Sequence, residues 1–239
     1  MKQLPNIMTL LNLLCGCIAL VSVFHGRIDH AAILVVIAGI LDFLDGFVAR
    51  MMNAHSELGK QLDSLADMVT FGVVPGVILF NLMLQSSYFA TFESRLLFSV
   101  LKYYMFIVTL FSCLRLAKFN IDPRQTTYFI GLNTPTNTFM ILALPLILRH
   151  DSFGLGSFIL NPFILVGIAS LSAFLLVAEI PFISLKFKSL KWNDNRPQYL
   201  LILGALLLLI AFRYAGPPLV VIFYLILSLI FPPDKKQVV

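Results

Sequence analysis

The chain is a succession of apolar runs, and this constrains its fold more than any other feature. Residues 7–24, 30–50, 60–84, 96–120, 132–148, 163–182, 199–212 and 219–231 read as eight membrane spans by apolar length, the last two short for a span. With a mean hydropathy of +0.92 over 239 residues and only 12% charged side chains, the apolar surface exceeds what a soluble domain can hide. The expected fold is all-α: a polytopic transmembrane helix bundle of about eight spans, forming one integral membrane domain over residues 1–239. No internal repeat, low-complexity tract or linker divides it. Pro5-Asn6 reads as a helix start with Asn6 as N-cap, and Pro217-Pro218 as the opening of the last helix. The first run does not read as a cleavable signal: it has a single basic residue, Lys2, and no small-x-small site after it. Cys15, Cys17 and Cys113 fall inside apolar runs, which argues against a disulfide framework. Cys15 and Cys17, two apart on a helix, point to different faces and make a poor metal site.

Four carboxylates interrupt this pattern between residues 42 and 67: Asp42, Asp45, Asp63 and Asp67. A charge at mid-membrane costs about 2.5 kcal/mol or more. Asp42 and Asp45 are i, i+3, and Asp63 and Asp67 are i, i+4, so each pair occupies one helix face. If residues 51–58 form a turn, the two helices are antiparallel and the pairs face each other. Convergent carboxylates then need cations between them, and hard oxygen ligands without Cys or His suit Mg²⁺, Mn²⁺ or Ca²⁺. Ion pairs with Arg50 and Lys60 are the plainer explanation, but two cations cannot neutralise four acids. Gly46, Ala49 and Gly59 are small residues that allow close approach of a ligand or helix. Arg50 adds donors suited to phosphate.

Asp42-x-x-Asp45-Gly46-x-x-Ala49-Arg50, then eight residues, then Gly59-x-x-x-Asp63-x-x-x-Asp67 resembles the motif of the CDP-alcohol phosphotransferases, with every position filled. The resemblance implies a six-helix core and a two-metal site, Mg²⁺ or Mn²⁺, held by Asp42, Asp45, Asp63 and Asp67. It also implies a CDP pocket shaped by Gly46, Ala49, Arg50 and Gly59, with Asp67 as the base that activates the acceptor. Pro5-Asn6-x-x-Thr9-x-x-Asn12 is similar to the N-terminal motif of the phosphatidylserine synthase branch, which adds Thr9 to the CDP side; bonding to a neighbouring helix is the alternative. Arg115-Leu116-Ala117-Lys118-Phe119-Asn120 and residues 128–135 resemble the same branch, although Asn133 stands where that branch often has proline. This implies Arg115, Lys118 and Asn120 as acceptor-binding residues, with CDP-diacylglycerol and L-serine as substrates. Arg115 can clamp a carboxylate or a phosphate, and Asn120 can accept from an ammonium. A positive-inside anchor and a helix cap are the alternatives. Glycerol 3-phosphate or an inositol phosphate remains open as acceptor, with Arg115, Lys118 and Arg124 as the cations such a group would need. An ion channel or transporter is the alternative of a different class. Against it, the acids gather toward one membrane face, and Arg50 and Lys60 would repel a permeating cation.

Basic residues set the orientation. One side carries Lys2, Arg50, Lys60, Arg115, Lys118, Arg124, Lys186, Lys188, Lys191, Arg196, Lys235 and Lys236; the other carries Arg27, Arg95, Arg149 and Arg213, with Lys102 a fifth. Both termini and the aspartates are therefore expected on the cytoplasmic side of the cell membrane. A net charge of +5 fits anionic headgroups there, and nothing in the chain suggests nucleic acid. A homodimer is the expected assembly. Glu179 reads as a partner of Lys186 or as part of the cavity lining, the pairing being the plainer reading. His25, His30, His55 and His150 lie at helix ends or in loops without ligand spacing.

Overall fold

The computed structural model describes residues 3–52, 54, 56–86, 95–122, 129–150, 152–183, 192 and 195–232. Helices follow the apolar runs. α1 (Leu4–Phe24) and α2 (Ile28–Met51) form the first hairpin. α3 (Glu57–Asp67), a π-helical turn (Met68–Val73) and α4 (Val74–Gln85) make one continuous rod. α5 (Arg95–Tyr104) and α6 (Ile107–Ile121) follow one another with a break at residues 105–106. α7 (Thr134–Arg149), the short α8 (Gly156–Ile159) and α9 (Pro162–Val177) come next, then α10 (Arg196–Phe212) and α11 (Gly216–Ile230). Strands β1 (Phe129–Ile130) and β2 (Pro181–Phe182) pair antiparallel, Phe129 opposite Phe182.

Among the described residues, five helical stretches are long and apolar enough to cross a membrane: Leu4–Phe24, Ile28–Met51, Glu57–Gln85, Ser99–Ile121 and Arg196–Ile230. The last is two helices, α10 and α11, folded back on each other at Arg213, whose φ of 47° turns the chain. With α7 and α9, every apolar run appears as helix, and the fold is an all-α polytopic bundle. Four ends differ from expectation in ways that matter. α1 begins at Leu4, so Asn6 lies inside it and its amide donates to Gln3 Oε1 at 3.0 Å. Pro5 sits in the first turn, where its missing N–H costs nothing. α9 stops at Val177 rather than 182. There the N–H of Gly131 donates to Ile180 O (2.9 Å) and that of Leu132 to Leu175 O (2.8 Å), and the following residues join the strand pair. α10 and α11 each start earlier than expected, at Arg196 and Gly216, which makes the two shortest runs longer. Lys2, His55, Arg124, Tyr128, Lys186, Lys188, Lys191, Lys235 and Lys236 lie outside the described residues.

The bundle turns its large apolar side chains outward, as a bilayer allows: Ile33, Ile40, Leu207 and Ile210 are all exposed. The inward face of α1 is its smallest and most polar one, with Pro5, Thr9, Asn12, Gly16, Ala19 and Ser22 repeating every third or fourth residue. Ala31, Val35 and Ala38 of α2 are buried in the same way, and such small faces let helices approach closely. Gly16 meets Thr70, where an added Cβ would collide with the hydroxyl; that hydroxyl donates to Asn12 O at 3.2 Å. α1 packs along both α2 and α3, while α2 and α3 touch each other little.

The π-turn has an identifiable cause. Pro75 has no N–H to give the carbonyl of Phe71 four residues back. The ladder widens, Val74 N–H donates to Val69 O, and two carbonyls are freed. Hydroxyls from neighbouring helices take them: Thr138 donates to Phe71 O at 3.0 Å and Thr109 to Gly72 O at 2.9 Å.

Candidate active site

The motif residues meet at one end of the bundle. Asp42 and Asp45 stand near the end of α2, and Asp63 and Asp67 on α3. Ser56 caps α3, its Oγ accepting from Gly59 N–H at 3.0 Å, and this fixes where the second pair begins. Asp42, Asp63 and Asp67 converge, with one carboxylate oxygen from each lying within 4.8 Å of the others. Asp45 stands outside this trio, 6% exposed, and Thr9 Oγ1 donates to its Oδ2 at 2.5 Å. Asn12, one turn along α1, donates from Nδ2 to Asp67 Oδ1 at 3.2 Å. α1 is thus wedged beside the two aspartate helices and orients one carboxylate of each. Among the described residues, no ion pair joins Arg50 or Lys60 to any of the four aspartates. Like charges so close, without bound cations, repel. The donor set is all hard oxygen, which fits a divalent cation of the Mg²⁺ or Mn²⁺ kind.

A cavity of about 510 Å³ opens beside the cluster. Thr9, Gly46, Ala49, Arg50 and Gly59, the residues assigned to the CDP side, all line it, as do Asp45 and Asp63. The two glycines serve different ends. A Cβ at Gly59 would press on Ser56 Oγ (3.1 Å) and Asn6 Oδ1 (3.2 Å), so the cap favours glycine there. A Cβ at Gly46 would meet nothing closer than Arg50 Nη1 at 3.8 Å, so no protein packing requires that space to be open. A second cavity of about 500 Å³ lies at the far end of the bundle, walled by Val23, Asn81, Pro145 and Arg149. It gathers no acid cluster among the described residues, and its Arg149 pairs with Asp29 at 2.8 Å. The chemistry therefore belongs to the first.

The three residues assigned to the acceptor part company. Arg115 is 7% exposed, with its guanidinium 5.1 Å from the centre of the Phe119 ring and within electrostatic reach of Asp67, Asp42 and Tyr224. Lys118 lies on an exposed face of α6. Asn120 is half-buried and spans to α3: its Nδ2 donates to Ser64 Oγ at 2.7 Å, and its carbonyl accepts from Lys60 Nζ at 2.7 Å. Asn12 and Tyr224 complete the surroundings. Asn12 was legible as the partner of Thr9 in the i, i+3 pair. Tyr224, which donates to Ile183 O at 2.7 Å, carried no sequence signal. Glu179 is exposed beyond α9, and its expected partner Lys186 is not described. Of the histidines, His25 bonds back to Val21 O and His150 stacks on Tyr214, both away from the aspartates. The cysteines are free.

A bilayer-adapted helix bundle that gathers acids around a polar cavity defines the class, a membrane-embedded enzyme. The CDP-alcohol phosphatidyltransferase family model matches residues 2–178, and the chain belongs to that family, which is metal-dependent. It is 33% identical over 201 residues to the CDP-diacylglycerol–serine O-phosphatidyltransferase of Bacillus subtilis, covering 81% of this chain and 100% of that one. It is 31% identical over 235 residues to the protein of that name from Mycobacterium leprae, covering 95% and 72%. The Helicobacter pylori protein of that name is 30% identical over 191 residues, covering 79% and 74%.

Proposed function

We propose that this enzyme transfers the phosphatidyl group of CDP-diacylglycerol to the hydroxyl of L-serine, giving phosphatidylserine and CMP. The observation that carries the reading is the trio of carboxylates within 4.8 Å beside a cavity lined by every residue assigned to the CDP side. The names of the relatives support serine as acceptor. Asp42, Asp63 and Asp67 would hold one ion of Mg²⁺ or Mn²⁺, and Asp45 with its neighbours a second. When bound, such ions neutralise the attacked phosphate and the departing CMP. The chain's own residues do the rest. Arg50 offers donors to the pyrophosphate, and the open space at Gly46 admits it. Asp67 accepts the proton of the serine hydroxyl as the new P–O bond forms and the bond to CMP breaks. Arg115 pairs with the serine carboxylate. Asn120 keeps α6 against α3, and the exposed Lys118 draws anionic headgroups to this face. Arg115 is the one buried cation among the described residues. The uneven basic residues support a cytoplasmic site and cytoplasmic termini in the cell membrane, and the working assembly is a homodimer.

The test is CMP release by purified protein given CDP-diacylglycerol and a panel of alcohols, with and without chelator. Serine-dependent release that a divalent ion restores is the expected result. Full turnover in excess chelator, or preference for glycerol 3-phosphate, would reject the reading.

A further inference from the structure

Several buried polar groups on α1, α6 and α7 have no partner among the described residues: Asn12 Oδ1, Ser112 Oγ, Arg115 Nε, Thr134 Oγ1 and both amide atoms of Asn137. A buried polar atom left unpaired is costly, and most find partners. Asn137 is the extreme case, 0% exposed with donor and acceptor both unused.

These groups occupy adjoining levels of the bundle. Thr138 ties α7 to Phe71, and Ser112 of α6 faces Gly72, where an added Cβ would come within 3.3 Å of the serine Cβ. α6 and α7 are thereby set at one height on the π-turn. One helical turn nearer the aspartates come Asp67 on α3, Arg115 on α6 and Thr134 on α7. Asn137 lies between these levels. Its direction follows from its neighbours. Phe139 points to α2, against Gly39. At about 100° per residue, Asn137 is on the opposite flank of Thr138. Asn133 and Thr136 face the cavity beside α10 and α11, which bounds that flank on its other side. Asn137 thus faces the space between the π-turn and α11. The guanidinium of Arg115 lies within electrostatic reach of Asp67 on α3 and of Tyr224 on α11, the elements on either side of that space.

We infer that Asn137 is a specificity residue for the acceptor, its Oδ1 accepting from the ammonium of an amino-acid zwitterion whose carboxylate is held by Arg115. This rests on the proposed function and adds to it an inner contact that the motifs do not include. A carboxamide suits a zwitterion because it offers an acceptor close to a cationic donor group.

The full chain in detergent is first assayed with L-serine; if the unaltered protein does not use serine, the proposed function fails before this inference is reached. If it does, Asn137→Ala should raise the serine KM about tenfold to a hundredfold, the usual effect of losing a hydrogen bond to a charged group. The KM for CDP-diacylglycerol should stay unchanged, and the Tm should not fall. Inhibition by 3-hydroxypropionate, which lacks the ammonium, should be nearly unaffected. Asn137→Ser replaces the alanine variant if that one does not fold, with the same expectation. An unchanged serine KM in a folded variant, an equal rise for both substrates, or an equal loss for serine and 3-hydroxypropionate would overturn the assignment.

Discussion

Asp67→Asn separates two effects that the carboxylate trio imposes together. Asp67 is 8% exposed and lies within 4.8 Å of both Asp42 and Asp63. At that separation and an effective dielectric of about 20, two unit charges repel by roughly 3 kcal/mol. Asp67 has two such neighbours, with Arg115 offsetting part of the repulsion. Asparagine keeps the shape, and its Oδ1 can still accept from Asn12. In chelator, relief of about 2 kcal/mol or more should raise Tm by several degrees. Turnover should fall about a hundredfold or more, because the serine hydroxyl loses its base. The rise in Tm that Mg²⁺ or Mn²⁺ brings should shrink as well, since a ligand has gone. Differential scanning fluorimetry with and without chelator, alongside CMP release, measures all three. A lower Tm in chelator would refute the repulsion argument. Turnover near the unaltered rate with normal ion binding would show that Asp67 is not the base.

Other perturbations probe the remaining parts. Arg115→Ala should raise the serine KM by tenfold or more while donor affinity changes little; equal damage to both would make Arg115 a phosphate ligand or a structural residue. Gly46→Leu should leave Tm within a degree or two, because space is open there, yet weaken CDP-diacylglycerol binding at least tenfold; unaltered donor KM would place the nucleotide elsewhere. A reporter fused after Val239 that works only outside the cytoplasm should stay silent, and its activity would reverse the topology.

The spacing of the acids announced the site because helical periodicity alone puts Asp42 with Asp45 and Asp63 with Asp67 on shared faces. The runs announced the helices because nothing but a bilayer accommodates them. The wedge made by α1 was not legible. It depends on which small residues meet across helices, as Gly16 meets Thr70, and no local pattern encodes such pairs. The π-turn had a local cause in Pro75, but its repair by Thr109 and Thr138 comes from helices far along the chain. Lys118 and Asn120 shared a motif with Arg115, yet helical rotation turns Arg115 inward, Lys118 to an exposed face and Asn120 to Ser64. Asn133 holds a position where proline is common in similar sequences, and here its side chain caps α7, accepting from Thr136 N–H at 2.9 Å.

The wedge has a consequence for how the protein is made. Thr9, Asn12, Asp42, Asp45, Asp63 and Asp67 all belong to the first three helices, so the acid cluster needs no residue beyond 67. Chains fold from the N-terminus as they are synthesised. The carboxylate half of the site can therefore assemble at the translocon while the helix carrying Arg115 is still within the ribosome. An ion captured at that stage would give the polar stripe of α1 a reason to remain in the membrane before the rest of the bundle arrives.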